Sequence, residues 1–335
     1  MKKYLLPENG NYYKSILHCH SVFSDGKFTP AELKEIYKSL GYSILSVTDH
    51  EGFFYHPELD DDEFLSIAGY ELSFDMTSDK PRGEVPTCHL CLYKKDPSDI
   101  YQPGYDENYV NPHVKWTVTP EMKSRIKGKG EPFDREYTHE NINNVMKILK
   151  DEGFIITYNH PKWSMEGYED YILHDGMHNL EIYNHDSCRC GHDERNGEVF
   201  DAYLRKGRKL FVTACDDNHD SSTANRIGGF TMFKAPSLTY ENIMNAFEKG
   251  EFYASEGPEI DELYVEDGNV VLKSKTPLRY VSLITGTRYT SRCAGDPIYE
   301  VCLPIRPGCK YIRLEACDLQ GRRAYTNAYW LEDIL

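Results

Sequence analysis

The sequence predicts an α/β fold, with strands and helices alternating on a mainly parallel sheet, followed by a short all-β segment. Three observations predict it. Capped amphipathic helices recur as far as Ser255, and each is succeeded by a short run of β-branched and aromatic residues. Polar residues collect at the C-terminal ends of those runs. After Gly257-Pro258 the helical periodicity stops and only short β-like runs remain.

The elements follow in order. Ser15-Ile16-Leu17-His18-Cys19-His20 reads as a strand. Thr29-Pro30-Ala31-Glu32 then opens a helix, with Thr29 as N-cap, Pro30 at the first helical position and Glu32 closing a capping box. Leu33, Ile36, Tyr37 and Leu40 give it an apolar face, and Gly41 stops it. Ser43 to Val47 and Phe64 to Ala68 are the next strands. Thr138 caps a helix through Ile142, Val145, Met146 and Leu149 to Gly153, and Phe154 to Tyr158 follows as a strand. Asn179 to Tyr183 and Lys209 to Ala214 are further strands, and Thr239 caps a helix that ends at Gly250. Residues 94–135 break the pattern as a polar insertion rich in Tyr, Pro and Gly, and insertions of this length serve as lids or binding loops. Leu263 to Val265, Val270 to Leu272, Tyr280 to Leu283 and Tyr311 to Leu314 read as a small β-sandwich. The expected organisation is therefore one α/β unit over residues 1–256 and a small all-β domain over 257–335.

Composition narrows the function. The chain has 335 residues and a formal net charge of −16, which disfavours a nucleic-acid polymer as partner and fits poorly with a polymerase-associated role. Met1 to Leu6 begins like a leader, but Pro7-Glu8-Asn9-Gly10 ends the apolar run, and no apolar stretch approaches 18 residues, so neither signal peptide nor membrane span is expected. The ten Cys show no secreted framework and read as reduced, cytoplasmic thiols.

The chemistry lies at the strand ends. His18 and His20 sit at i and i+2 and share one face of the chain, as do Asp217 and His219. Two imidazoles on one face grip a single metal ion, and a carboxylate beside them adds charge. Thr48-Asp49-His50, Glu71 after Gly69-Tyr70, His89 and Asn159-His160-Pro161 recur at corresponding ends. Taken singly, each is an ordinary polar residue; His-x-His arises by chance about half a time in such a chain. The recurrence carries the case.

Together these residues resemble the polymerase and histidinol phosphatase (PHP) domain of metallohydrolases. The resemblance rests on His18-Cys19-His20-Ser21 with Ser24-Asp25-Gly26, Thr48-Asp49-His50, Glu71, His89, Asn159-His160-Pro161, Glu181 in a Glu-x-Tyr-Asn strand, and Asp217-Asn218-His219, in the family's order over residues 15 to about 220. Arg226-Ile227-Gly228-Gly229 and Glu248 to Pro258 are similar to the CehA/McbA-like branch, whose members often carry a C-terminal β domain. The resemblance implies a distorted (β/α)7 barrel with two or three divalent ions of zinc, manganese or iron. It implies that His18, His20, Glu71 and Asp217 hold one ion, that Glu71, His89 and His160 hold a second, and that Asp25, His50 and His219 hold a third. Asp216 departs from the family, where a small residue is common, and leaves two adjacent carboxylates as candidates for one ligand position. Asp49 is expected to orient a ligand.

The reaction expected is hydrolysis of a small phosphate mono- or diester, an anionic substrate, by a metal-activated hydroxide held by Glu71, Asp217 and His219, with Arg226 and Lys162 on the substrate phosphate. The alternative keeps the site and changes the bond to a carboxylic or carbamate ester or amide. A non-enzymatic ligand-binding barrel fits less well with a complete ligand set. Cys188-Arg189-Cys190-Gly191-His192 reads as loop cysteines, and Cys88 and Cys91 as buried thiols. Tyr101, Tyr105, Tyr109 and Trp116 either line a lid or pack the insertion down.

Overall fold

The computed structural model describes residues 2–107, 119–223 and 226–334. Tyr109 and Trp116 of the insertion lie outside them. Two large sheets carry the chain. One runs Phe211–Cys215, Asn179–Asn184, Phe154–Tyr158, Thr87–Lys94, Gly69–Asp75. The first three of these strands are parallel, while Gly69–Asp75 and Thr87–Lys94 form an antiparallel hairpin. In the other sheet Asn11–Ile16, Ile44–Leu45 and Leu65–Ser66 are parallel, and Phe230–Ala235 and Phe252–Ser255 join antiparallel. The fold is thus mixed α/β, with a larger antiparallel share than alternation alone predicts.

Among the described residues the ladders do not close. The sheets are instead stitched where their ends meet. Cys19 bridges Asn218 and His50 bridges Glu71. Around those bridges Asp217 N donates to His18 O at 3.0 Å, His20 N to Asn218 O at 3.0 Å and Glu71 N to Asp49 O at 3.2 Å. Backbone pairing at this one edge delivers His18, His20, His50, Glu71 and Asp217 to a common point.

The helices form where local signals place them. Thr29 Oγ1 accepts from Glu32 N while Glu32 accepts from Thr29 N at 2.8 Å, so the helix Pro30–Ser39 starts with two orphan donors satisfied. The helix His139–Asp151 buries Ile142, Val145, Met146 and Leu149 against Leu90, Leu92 and Ile156 of the adjoining sheet. Each such burial stabilises by roughly 1.5–3 kcal/mol. Gly250, at φ 72°, ends Tyr240–Lys249 in the left-handed conformation that glycine adopts without a Cβ clash.

The C-terminal strands are joined to the rest by backbone pairing. Ile260–Glu266, Asn269–Ile284, Tyr311–Asp318 and Arg323–Thr326 continue the second sheet through Tyr253↔Thr326 and Ala254↔Tyr325. Lys3–Tyr4 pairs with Tyr264–Val265, so the N-terminus lies with the C-terminal strands. Neither pairing partner is near in sequence, and both are invisible to local patterning. In the insertion, Tyr101–Pro103 pairs with Lys127–Lys129 and Thr119 caps the helix Pro120–Arg125. No helix among the described residues is long and apolar enough to cross a membrane.

Candidate metal centre

The strand ends converge on a cleft of about 510 Å³ whose floor includes His20, Asp25, His50, Glu71, His89, His160, Asp217 and His219. His18 lies just beneath, 1% exposed. All nine sequence-expected ligands are therefore in one cluster.

Its centre has the dimensions of an ion's ligand shell. His18 Nε2 and His20 Nε2 are 3.3 Å apart. Asp217 Oδ1 is 3.2 Å from the first and 3.1 Å from the second. Glu71 approaches His18 Nε2 with Oε1 at 3.3 Å and His20 Nε2 with Oε2 at 3.5 Å. Four ligands about 2.0–2.1 Å from a tetrahedral cation are separated by roughly 3.3–3.4 Å. Asp217 Oδ1 is buried and, though close to both imidazoles, makes no well-aligned hydrogen bond, and His89 Nε2 is buried with no hydrogen-bond partner among the described residues. Unpaired buried polar atoms are costly. A divalent cation bound among these nitrogen and oxygen donors fits both observations.

Ligand atoms close enough to share an ion fall into overlapping groups: His18, His20 and Asp217; His18, Glu71 and His160; His50, Glu71 and His89; and His20, Asp25, His50 and His219. His89 thus groups with His50 and Glu71, its ring centroid is 5.1 Å from that of His160, and His20 reaches towards both ends of the cluster. Glu71 is the hub, with Oε1 3.1 Å from His89 Nδ1 and Oε2 3.0 Å from His50 Nδ1.

Most of the rings are held from behind. His18 Nδ1 meets Glu181 Oε1 at 2.9 Å, which leaves Nε2 facing the centre. Nδ1 of His20 lies 3.4 Å from Ser24 Oγ, that of His160 3.1 Å from Ser164 Oγ, and His219 Nδ1 donates to Asp217 O at 2.9 Å. Such outer contacts fix tautomer and ring orientation. Asp49 takes the expected supporting place: it accepts from Ser21 N, Ser21 Oγ and Ser24 Oγ, and reaches His20 through Ser24. The Glu-x-Tyr-Asn strand carries no assigned role in the sequence; in the structure its last residue, Asn184, has Nδ2 spanning Glu181 Oε2 at 2.9 Å and Asp217 Oδ2 at 3.0 Å. Glu181 also accepts from His160 N at 3.1 Å and contacts Cys215 Sγ. The backbone is left-handed at His160, φ 23°, and at Asp217, φ 54°. Such positions cost on the order of 1–3 kcal/mol and cluster at functional sites.

The electrostatics are those of interleaved opposite charges. Burial disfavours ionised Glu71, but His18, His89 and His50 outweigh it and hold the carboxyl well below its usual range. Asp217 behaves alike through His18 and His20. Burial likewise opposes charge on His18, yet Asp217, Cys91, Glu71 and Glu181 raise it well above an ordinary histidine. His20 is lowered by burial and then by His219 and His50. Asp216 is different. Burial pushes its carboxyl up to about 8, and it accepts from Tyr37 Oη at 2.9 Å and Gly228 N at 3.1 Å. Of the adjacent pair, only Asp217 reaches the centre.

The two expected phosphate-binding cations are directed elsewhere. Lys162 Nζ bonds Arg195 O at 3.1 Å and pairs with Glu198 at 3.4 Å in a separate depression. Arg226 lies 3.7 Å from Asp220 and does not line the cleft. The guanidinium that does line the cleft is Arg82, 2.9 Å from Asp75, on the hairpin loop between Asp75 and Thr87. Trp163, Met165 and His192 complete the rim. Cys88 and Cys91 are buried, as expected, and all ten cysteines are free. In the insertion, Tyr105 and Ile126 pack with Phe23 and Phe54 beside His50, and neither Tyr101 nor Tyr105 lines the main cleft.

No family model matches the chain. Error-prone DNA polymerases of Mycobacterium bovis (strain ATCC BAA-935 / AF2122/97) and Mycobacterium tuberculosis (strain CDC 1551 / Oshkosh) are 33% identical over 87 residues, 24% of this chain. The match spans 8% of the length of those polymerases. Among solved structures, a two-domain Bacteroides vulgatus ATCC 8482 protein containing a predicted PHP-like metal-dependent phosphoesterase overlaps at 15% identity and a TM-score of 0.44, covering 98% of each chain. A protein of Bifidobacterium adolescentis ATCC 15703 described as a metal-dependent phosphoesterase overlaps at 18% and 0.39, covering 67% of this chain and 92% of its own. An amidohydrolase from Chromobacterium violaceum overlaps at 13% and 0.40, covering 71% and 96%.

Proposed function

We propose that the chain is a metal-dependent phosphoesterase of the PHP type, acting in the cytoplasm on a small phosphate mono- or diester. In this reading the strands and helices of residues 1–256 make a distorted (β/α)7 barrel, and residues 257–335 form a second, all-β unit. The observation that carries the reading is the set of 3.1–3.5 Å separations among His18, His20, Glu71 and Asp217 at the floor of an open cleft. His18, His20, Glu71 and Asp217 would hold one divalent ion. Glu71, His89 and His160 would hold a second, and Asp25, His50 and His219 a third. When bound, zinc, manganese or iron ions supply Lewis-acid charge to phosphoryl oxygens and a water of lowered pKa.

The chain's own groups do the rest. Glu71, between the clusters, sets their spacing. Glu181 and the Ser24 and Ser164 hydroxyls hold His18, His20 and His160 so that Nε2 faces inwards. Arg82, with a planar fork, takes the substrate-binding place first expected of Lys162 and Arg226. The test is elemental analysis of the purified protein with a panel of phosphate monoesters, diesters and aryl carboxylic esters, with Mn²⁺ or Zn²⁺ added. Two or three ions per chain with phosphate release support the reading. Metal with cleavage of carbon esters alone replaces phosphorus by carbon at the same site. Absence of stoichiometric metal after reconstitution overturns it.

A further inference from the structure

The rim of the cleft is apolar where a solvent-facing surface has no need to be. Trp163 is 42% exposed and Met165 50% exposed, and both line the cleft with Val85. The backbone that carries Trp163 is anchored to one carboxylate. Its backbone N–H donates to Glu194 Oε2 at 2.7 Å, and Lys162 N donates to Glu194 Oε1 at 3.1 Å. Glu194 is itself fully buried and also accepts from Asn196 Nδ2 at 2.8 Å. The indole ring stands nearly perpendicular to two candidate ligands, with centroids 4.9 Å from His160 at 76° and 5.4 Å from His89 at 64°. Those two rings border the centre where a reacting group must sit, so the exposed indole lies directly beside whatever is attached to that group.

We propose that Trp163, fixed edge-on to His89 and His160, is the stacking platform for a planar aromatic or heterocyclic group carried by the substrate. The proposal rests on the phosphoester reading and narrows its substrate class. A cleft of about 510 Å³ accommodates such a group together with a phosphate. A flat ring gains from stacking on indole beyond the area it buries, whereas a saturated ring of the same size gains only the burial. Met165, in the left-handed conformation at φ 58°, flanks the platform with an adaptable thioether.

The experiment compares benzyl with cyclohexylmethyl compounds, which match in size and leaving-group chemistry and differ in planarity. Binding of the two phosphonates to the Mn²⁺-loaded protein is measured by calorimetry, and hydrolysis of the two phosphate esters by phosphate release. The wild type should prefer the benzyl member by roughly three- to tenfold in both readouts. Trp163→Phe should keep most of that preference and Trp163→Ala should lose it. Equal affinity for the two phosphonates, or a preference that survives Trp163→Ala, overturns the platform whatever the hydrolysis result. A benzyl preference in binding with hydrolysis of neither ester leaves the platform standing and overturns the phosphoester reading. Binding of neither phosphonate overturns both.

Discussion

Glu181→Gln tests whether the cluster is held from behind as the geometry indicates. The carboxylate can only accept, so His18 Nδ1 must carry its proton and Nε2 must be free to bind. Oε2 accepts from His160 N and Asn184 Nδ2 at 3.1 and 2.9 Å. Glutamine has the same shape but one donor end. With its NH2 at the Oε1 position, it faces His18 Nδ1 and forces the proton to Nε2, away from the tautomer that binds metal. Turned the other way, it faces two donors at the Oε2 position. Either orientation leaves a buried conflict worth about 1–3 kcal/mol. Metal affinity should therefore fall by about ten- to a hundredfold. Competition calorimetry against a chelator of known affinity measures the loss. Thermal melting with chelator present separates it from a general loss of stability. Metal affinity unchanged within twofold in Glu181→Gln would refute this account of how His18 is oriented.

Three further predictions follow from the same geometry. Glu71→Ala and His160→Ala should each lower bound metal, read by elemental analysis, together with activity; unchanged metal content in both variants removes the proposed site. Arg82→Ala should raise KM for phosphate esters about tenfold, while Lys162→Ala and Arg226→Ala, which do not line the cleft, should change it less than about twofold. His178 gives a pH-dependent term away from the cluster. Burial, then Lys150 and Lys95, depress it to about 4, and its Nδ1 accepts from Ile156 N at 3.0 Å. A depressed histidine stabilises the fold fully above pH of about 6.5, and the contribution, up to about 3 kcal/mol, is lost as pH falls towards 4. Denaturation at several pH values should show His178→Gln flattening that acid slope.

The ligands are legible because their chemistry is local to each strand end, whereas their convergence is not. His18-x-His20 and Asp217-x-His219 announce paired donors, but only the bridges Cys19↔Asn218 and His50↔Glu71 show that the pairs meet. The helices were legible for a similar reason: Thr29 with Glu32, Thr138 and Gly250 act within one turn of the residues they cap. Phe230–Ala235 and Phe252–Ser255 escaped notice because they are buried on both faces and lack alternation. The attachment of the C-terminal strands depends on pairings such as Tyr253↔Thr326 and Lys3↔Val265, which no window of sequence contains. Lys162 and Arg226 follow ligand motifs in sequence but do not line the cleft, because proximity along the chain does not fix where a long side chain points. Arg82 was passed over because it lies in an unremarkable loop, which the hairpin folds back over the cleft.

One physical constraint connects the strained backbone, the buried carboxylates and the outer hydrogen bonds. Nine donors can converge only if their mutual repulsion and desolvation are offset on every side. Glu71 and Asp217 supply the negative charge inside, between imidazoles that stabilise it. Outside, Glu181, Ser24, Ser164 and the Asp217 carbonyl each occupy one ring nitrogen and so remove a rotational choice. The left-handed conformations at His160 and Asp217 turn the chain sharply enough to present both side chains to the same point. A site assembled this way should respond unequally to substitution. Loss of an inner donor removes a position for an ion, whereas loss of an outer partner only releases a ring. The graded difference between Glu71→Ala and Glu181→Gln in bound metal is therefore the signature that separates a preorganised metal centre from a buried polar network that happens to be rich in histidine.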